Sequence, residues 1–326
     1  ATLQVETTTG EYADLGQQLG GQSGYELSLR TQDDYLQTLK TANGITSTKL
    51  SSAQTVLSSM VSSAQDTAKG LVGWASSANS TATLQNYGQN ALQGLISAGN
   101  TAVAGSYVFG GQNTGVAPMN DFYAQPTSAA KTALDNAFQS YFNFPVTSSQ
   151  VSSITATQMQ GFLSSSNFTQ EFQGSNWTSN WSNASSVNTT AEIAPGRNVA
   201  TSTNTNTAGF QQLAQGYAML SEFGNIGLNT SAAQALALAA TGVINQGVSS
   251  LTDTQAGLGL VQNEISQADD SMDGQMTLLQ DQISRSDSID PAQVATELNT
   301  LTTQLQSAYQ LTAKLSSLNL AQYLPT

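Results

Sequence analysis

Apolar residues recur along the first third of the chain at helical spacing. From Leu50 they fall at Ala53, Leu57, Met60, Ala64, Ala68 and Leu71, in steps of 3, 4, 3, 4, 4 and 3. Those steps average near 3.5 residues, the period that keeps one helix face on a partner. The stripe begins earlier, at Leu36 and Leu39, and weakens before Leu50 to Asn43 and Thr46. A second helical stretch is predicted from about Thr83 to Val103, on Leu84, Tyr87, Leu92, Leu95 and Ile96. Its Gly88, Gly94 and Gly99 each cost about 1 kcal/mol relative to Ala in a helix interior. We therefore expect them to mark close approach between helices.

The last quarter mirrors the first. One stripe reads Leu258, Val261, Ile265, Ala268, Met272, Met276, Leu279 and Ile283, and a turn is expected at Arg285–Ile289. Asp290-Pro291-Ala292-Gln293 then supplies an N-cap, a proline at the first helical position and a glutamine three residues after the cap. The following stripe reads Val294, Leu298, Leu301, Leu305, Ala308, Leu311, Leu315 and Leu318, and Pro325 ends it. We expect rod packing to rest on Leu50, Leu57, Met60, Leu71, Val261, Ile265, Leu279, Leu298, Leu301, Leu305 and Leu315.

The centre lacks this pattern. From about Phe122 to Thr207, Ser, Thr, Asn and aromatic residues dominate, and short β-prone runs between Gly, Pro and Asn predict strands, with one helix near Ala129–Tyr141. Helix resumes near Gly209, and another is predicted over about Ser231–Leu251. Neither end can bury its stripe alone, so the two should pair. The fold expected is mainly α: an elongated antiparallel helical rod from residues 1–121 and 208–326, with a β-hairpin near 105–121. A mixed α/β domain, 122–207, is inserted and faces outward.

Composition narrows the function. Charged residues are only 9% of the chain, against about 25% in ordinary soluble domains. Small neutral side chains in their place suit helices packed closely on like partners. Eight Lys and Arg against 21 Asp and Glu leave a net charge of −13, without the cationic patch that nucleic acid or an anionic membrane requires. No apolar run reaches the ~20 residues of a membrane span. The opening ATLQVETTTG has neither the basic nor the apolar region of a secretory signal, and it lacks an initiator Met, so an upstream segment is expected.

Catalysis finds little to work with. There is no Cys and no His, which removes thiolate chemistry, the commonest general base and the commonest transition-metal ligand. Ser128-Ala129-Ala130-Lys131 fits S-x-x-K without its partner motifs, and Ser128 is better read as a helix cap. The Gly20–Gly24 run reads as a turn, and the acidic trio Asp269, Asp270 and Asp273 as a solvated helix face rather than a calcium site. Trp177, Trp181, Phe168 and Phe172 could stack on sugars, but are better read as a core. We expect no enzyme, cofactor or metal.

One segment points to a family. Val103-Ala104-Gly105-Ser106-Tyr107-Val108-Phe109-Gly110-Gly111 resembles the GxYxFxG turn of the flagellin superfamily, where the helical rod passes into a β-hairpin. In that reading Tyr107 and Phe109 share one strand face, and Gly110-Gly111 provides a tight turn. Asn113–Phe122 resembles the continuation in alpha-proteobacterial hook–filament junction proteins. Glu11–Gly16 with Leu19-Gly20, and the closing Leu-x-x-Tyr-Leu within Leu318–Leu324, are similar to the superfamily's ends.

The resemblance implies a flagellar subunit exported unfolded, with an export chaperone, and assembled outside the cell. Its partners would be itself, the hook-side hook-associated protein and flagellin, with neither nucleic acid nor membrane. A junction subunit between hook and filament is the first expectation, flagellin the second, and a surface carbohydrate-binding homologue the third. Members of the family begin with a further helix that this sequence does not show, so the chain by itself is expected to remain a soluble monomer.

Overall fold

The computed structural model describes the backbone at residues 2–14, 20, 23–76 and 80–321, and side chains through residue 316. Of the residues named in the motifs above, Leu15, Gly16, Leu19, Gly21, Gln22, Tyr323, Leu324 and Pro325 lie outside the described residues. The elements run α1 (Thr2–Thr9), α2 (Ser23–Ser76), α3 (Thr81–Gly99), β1 (Ala102–Val103), β2 (Ser106–Tyr107), α4 (Ala129–Phe142), α5 (Ala156–Ser164), α6 (Ser166–Thr169) and α7 (Gly174–Asn180). They continue with β3 (Thr190–Ala194), β4 (Arg197–Ala200), α8 (Ala208–Phe223), α9 (Thr230–Asp287) and α10 (Pro291–Ala321). The chain forms two compact units, residues 1–40 with 270–326, and residues 41–269.

The long helices contain many serines and threonines, which are ordinarily weak helix formers. Here their hydroxyls bond back to carbonyls one turn earlier. Thr48 donates to Gly44 O at 2.9 Å, Thr55 to Ser51 O at 2.9 Å and Thr300 to Thr296 O at 2.9 Å. The polar group is thus satisfied on its own helix, and the surface left is small and uncharged. Ser231–Leu251 and the stripe from Leu258 belong to one 58-residue helix, α9. The turn expected at Arg285–Ile289 begins later, because α9 continues through Asp287. Asp290 Oδ1 then caps α10, accepting from Ala292 N at 2.9 Å.

In the 41–269 unit, α2 and α9 run antiparallel. Gln255 Nε2 donates to Gln54 O at 3.3 Å and Gln262 Nε2 to Ser51 Oγ at 3.0 Å, so one number rises as the other falls. Their stripes share a core with α3 and α8. Gly88 is where α3 meets α8: a Cβ there would stand 2.2 Å from Ser221 N. Gly99 likewise abuts Met119, whereas Gly94 faces open space.

Residues 122–189 are helical rather than stranded. Short helices are started by caps at Ser128, Ser148 and Thr155, the last forming a reciprocal capping box with Gln158. They close over aromatic rings. Phe138 lies 5.5 Å from both Phe162 and Phe223, and Phe172 lies 5.2 Å from Trp181. Strand is confined to the β3–β4 hairpin among the described residues of the insert. That hairpin bulges between Glu192 and Ala194 and buries Ile193.

In the other unit, Leu29, Leu36 and Leu39 pack with Met272, Met276 and Leu279. Lys40 pairs with Asp273, and Arg30 Nη2 with Asp287 Oδ2 at 2.5 Å. The segment after α1 crosses the end of α9, where Tyr12 N donates to Asp287 O at 3.1 Å and Ile289 N to Gly10 O at 3.1 Å.

Candidate functional site: hairpin motif and helix faces

The motif at 105–111 is a stitch between the hairpin and the insert. A tight turn falls at Gly110-Gly111, where Asn113 N donates to Gly110 O at 3.0 Å, and the β1–β2 hairpin itself turns earlier, at Ala104-Gly105, with φ of 49° and 78°. Two successive positive-φ residues match the right-handed twist of the flanking strands. The strand ends at Tyr107, so Tyr107 and Phe109 do not share a strand face: Tyr107 is half-buried, while Phe109 is fully enclosed. Phe109 meets Phe210 of α8 at 5.2 Å, and its carbonyl accepts from Thr205 N at 3.0 Å.

The two glycines serve close approach. A Cβ on Gly110 would meet Asn113 O at 2.5 Å, and one on Gly111 would meet Ser185 O at 2.3 Å. Gly111 also has φ of 61°, a conformation that side chains resist. Ser185 N donates to Gly110 O at 3.0 Å and Gln112 N to Val187 O at 2.9 Å, fastening the motif to the insert.

The residues expected to pack the rod divide into two groups. Leu50, Leu57, Met60, Leu71 and Ile265 are buried in the larger core, with Val261 half-buried at its edge, and Leu279 is buried in the smaller cluster. On α10 Val294 is buried and Leu298 half-buried, but Leu301, Leu305, Leu311 and Leu315 are 44–63% exposed. Helix α1 packs beside α10 and buries no residue of its own. One end of the chain thus presents a heptad stripe that its own fold leaves uncovered.

The remaining candidate residues have structural roles. Ser128 Oγ accepts from Lys131 N at 3.1 Å and donates to Phe122 O at 2.7 Å, so it is a cap, and Lys131 is engaged by Glu222 and Asp135. Trp177 and Trp181 are buried and stack at 5.8 Å within the insert, out of reach of a sugar. Among the described residues there is no metal-binding cluster of His, Cys, Asp or Glu, and no helix long and apolar enough to cross a membrane.

Burial pushes the Glu222 carboxyl up to about 7, against the opposing pull of Lys131, and raises the Tyr217 phenol. Tyr217 lines a small cleft with Ser59, Met60 and Ser63 and no other titratable side chain.

Comparison with curated proteins and with solved structures returns no match. Two family models do match. Residues 1–114 fit the bacterial flagellin N-terminal helical region and residues 241–324 the bacterial flagellin C-terminal helical region, together well over half of the chain. With paired end helices and an insert between them, the chain belongs to the flagellin superfamily, and its role is a structural one in flagellar assembly.

Proposed function

We propose that this chain is an extracellular axial subunit of the flagellum whose end helices pack against those of neighbouring subunits. The observation that carries the reading is the uncovered stripe Leu301, Leu305, Leu311 and Leu315 on α10, inside the segment matched to flagellin's C-terminal helical region. Leucines repeated at heptad spacing and left in water favour burial by about 1.5–3 kcal/mol each, and a helix from a like chain is the natural cover.

Within that role, the matches at both ends carry the description of flagellin itself, which favours a filament subunit. A hook–filament junction subunit is favoured by a different observation. The Asn113–Phe122 segment resembles that of junction proteins and is built into the insert, with Asn120 N donating to Trp181 O at 2.9 Å. In the junction reading, the hook-side hook-associated protein and flagellin flank the subunit, and in either reading an export chaperone holds its helices before secretion.

Deleting the gene and imaging the cells tests both. Bare hooks with no flagellin in the medium identify a filament subunit, and bare hooks with flagellin shed into the medium identify a junction. Normal filaments overturn the proposal.

A further inference from the structure

Within the larger unit, the middle of α2, the β1–β2 hairpin and the segments flanking β3 and β4 line a cavity of about 260 Å³. A water molecule takes about 30 Å³ in the liquid, so the space suits a small organic molecule. Leu50, Ala53, Val103 and Val108 give the lining its apolar part. Lys49, Ser106, Tyr107 and Thr114 add donors to it.

Two features set these donors apart. Arg30, Lys40, Lys69, Lys131, Arg197 and Arg285 all pair with carboxylates. Lys49 makes no ion pair or hydrogen bond among the described residues, and neither do the hydroxyls of Ser106, Tyr107 and Thr114. The lining contains no Asp or Glu, although acids outnumber bases by 21 to 8 in the whole chain. A cation and three unspent hydroxyls in one lining with apolar side chains fit a ligand with an anionic head and a greasy stem.

We propose that this cavity binds a small amphipathic carboxylate, with the head at Lys49 and the hydroxyls and the stem against Leu50 and Val108. The ligand is a free small molecule, the size that a cavity of about 260 Å³ admits.

The test is calorimetric titration of the full chain at low salt with butanoate, hexanoate and octanoate, alongside the matching alcohols. One carboxylate should bind per chain, about fourfold tighter for each added methylene until the stem fills the cavity. The alcohols should bind at least about tenfold more weakly. Lys49→Gln, at an exposed position where folding is not at risk, should lower carboxylate affinity about tenfold and leave the alcohols unchanged, and Lys49→Arg should restore most of it. Failure of all three carboxylates to saturate, equal binding by Lys49→Gln, or more than one ligand per chain without a length limit would each overturn the site.

Discussion

Asn43 Nδ2 donates to the carbonyl of Ile193 at 2.8 Å, at the bulge of β3, and the same amide reaches Asp269 Oδ1 at 2.6 Å. One buried side chain on α2 therefore ties the insert to α9. The bulge sends Ile193 into the core and breaks the strand ladder at its carbonyl, which the amide then satisfies. Asn43→Ala should leave that carbonyl and a carboxylate oxygen unpaired, at a cost of about 1–3 kcal/mol. Asn43→Asp should cost more, because it sets a second carboxylate against Asp269. Urea unfolding of the two variants checks both the loss and its order.

A second buried polar contact makes stability depend on pH. Glu222 on α8 pairs with Lys131 on α4, which also lies 3.6 Å from Asp135, while Tyr123 bonds Ser221 at 2.7 Å beside them. Burial raises the Glu222 carboxyl from its ordinary 4.5 to about 7 despite the lysine. The folded chain therefore holds more protons than the unfolded chain between about 4.5 and 7. Stability from this group rises as pH falls through that window and is flat above it, by an amount on the order of 1–3 kcal/mol. Glu222→Gln, which keeps the shape and fixes the neutral state, should remove that slope. Melting temperatures at about pH 5 and pH 8, on either side of most of the window, decide it, and an unchanged slope would refute the assignment.

Two glycines of α3 should respond oppositely to the same substitution. At Gly88 an added methyl meets the backbone of Ser221 and the Cβ of Leu220 at 2.2 and 2.6 Å, and neither can rotate away. Gly88→Ala should therefore destabilise by at least about 2–3 kcal/mol. Gly94 has nothing within 4 Å, so Gly94→Ala should stabilise by about 0.5–1 kcal/mol through helix propensity alone. Denaturant midpoints of the two single variants measure the difference.

The seams at Leu50–Leu71 and Leu258–Leu279 were legible in the sequence because a period near 3.5, held over several turns, arises only where one helix face is kept apolar. The insert was not. Its serines and threonines suggest strand by composition, yet Ser128, Ser148 and Thr155 act as caps, and the aromatic residues they position fill a helical core. The hairpin's own turn at Ala104-Gly105 was missed, because Ala104 adopts a positive φ that sequence ordinarily reserves for Gly or Asn. Asn43 read as a gap in the stripe, since its partner is a carbonyl 150 residues away. Nor could the pattern separate Leu57 from Leu305. A heptad stripe looks the same whether its cover comes from its own chain or from another.

That ambiguity gives the α10 stripe its test. Leu301 and Leu305 are about half exposed and bury little within the chain, so Leu301→Ala with Leu305→Ala should leave the thermal unfolding of the isolated protein nearly unchanged. In an assembly each truncation forfeits on the order of 1–2 kcal/mol at every repeated contact. Cells carrying only the double variant should export the protein yet lack the structure it builds, whereas Leu50→Ala should destabilise the isolated chain by about 2–5 kcal/mol. Unfolding curves and electron micrographs of the same variants separate the two faces. Normal flagella on the double variant would mean that α10 is covered some other way.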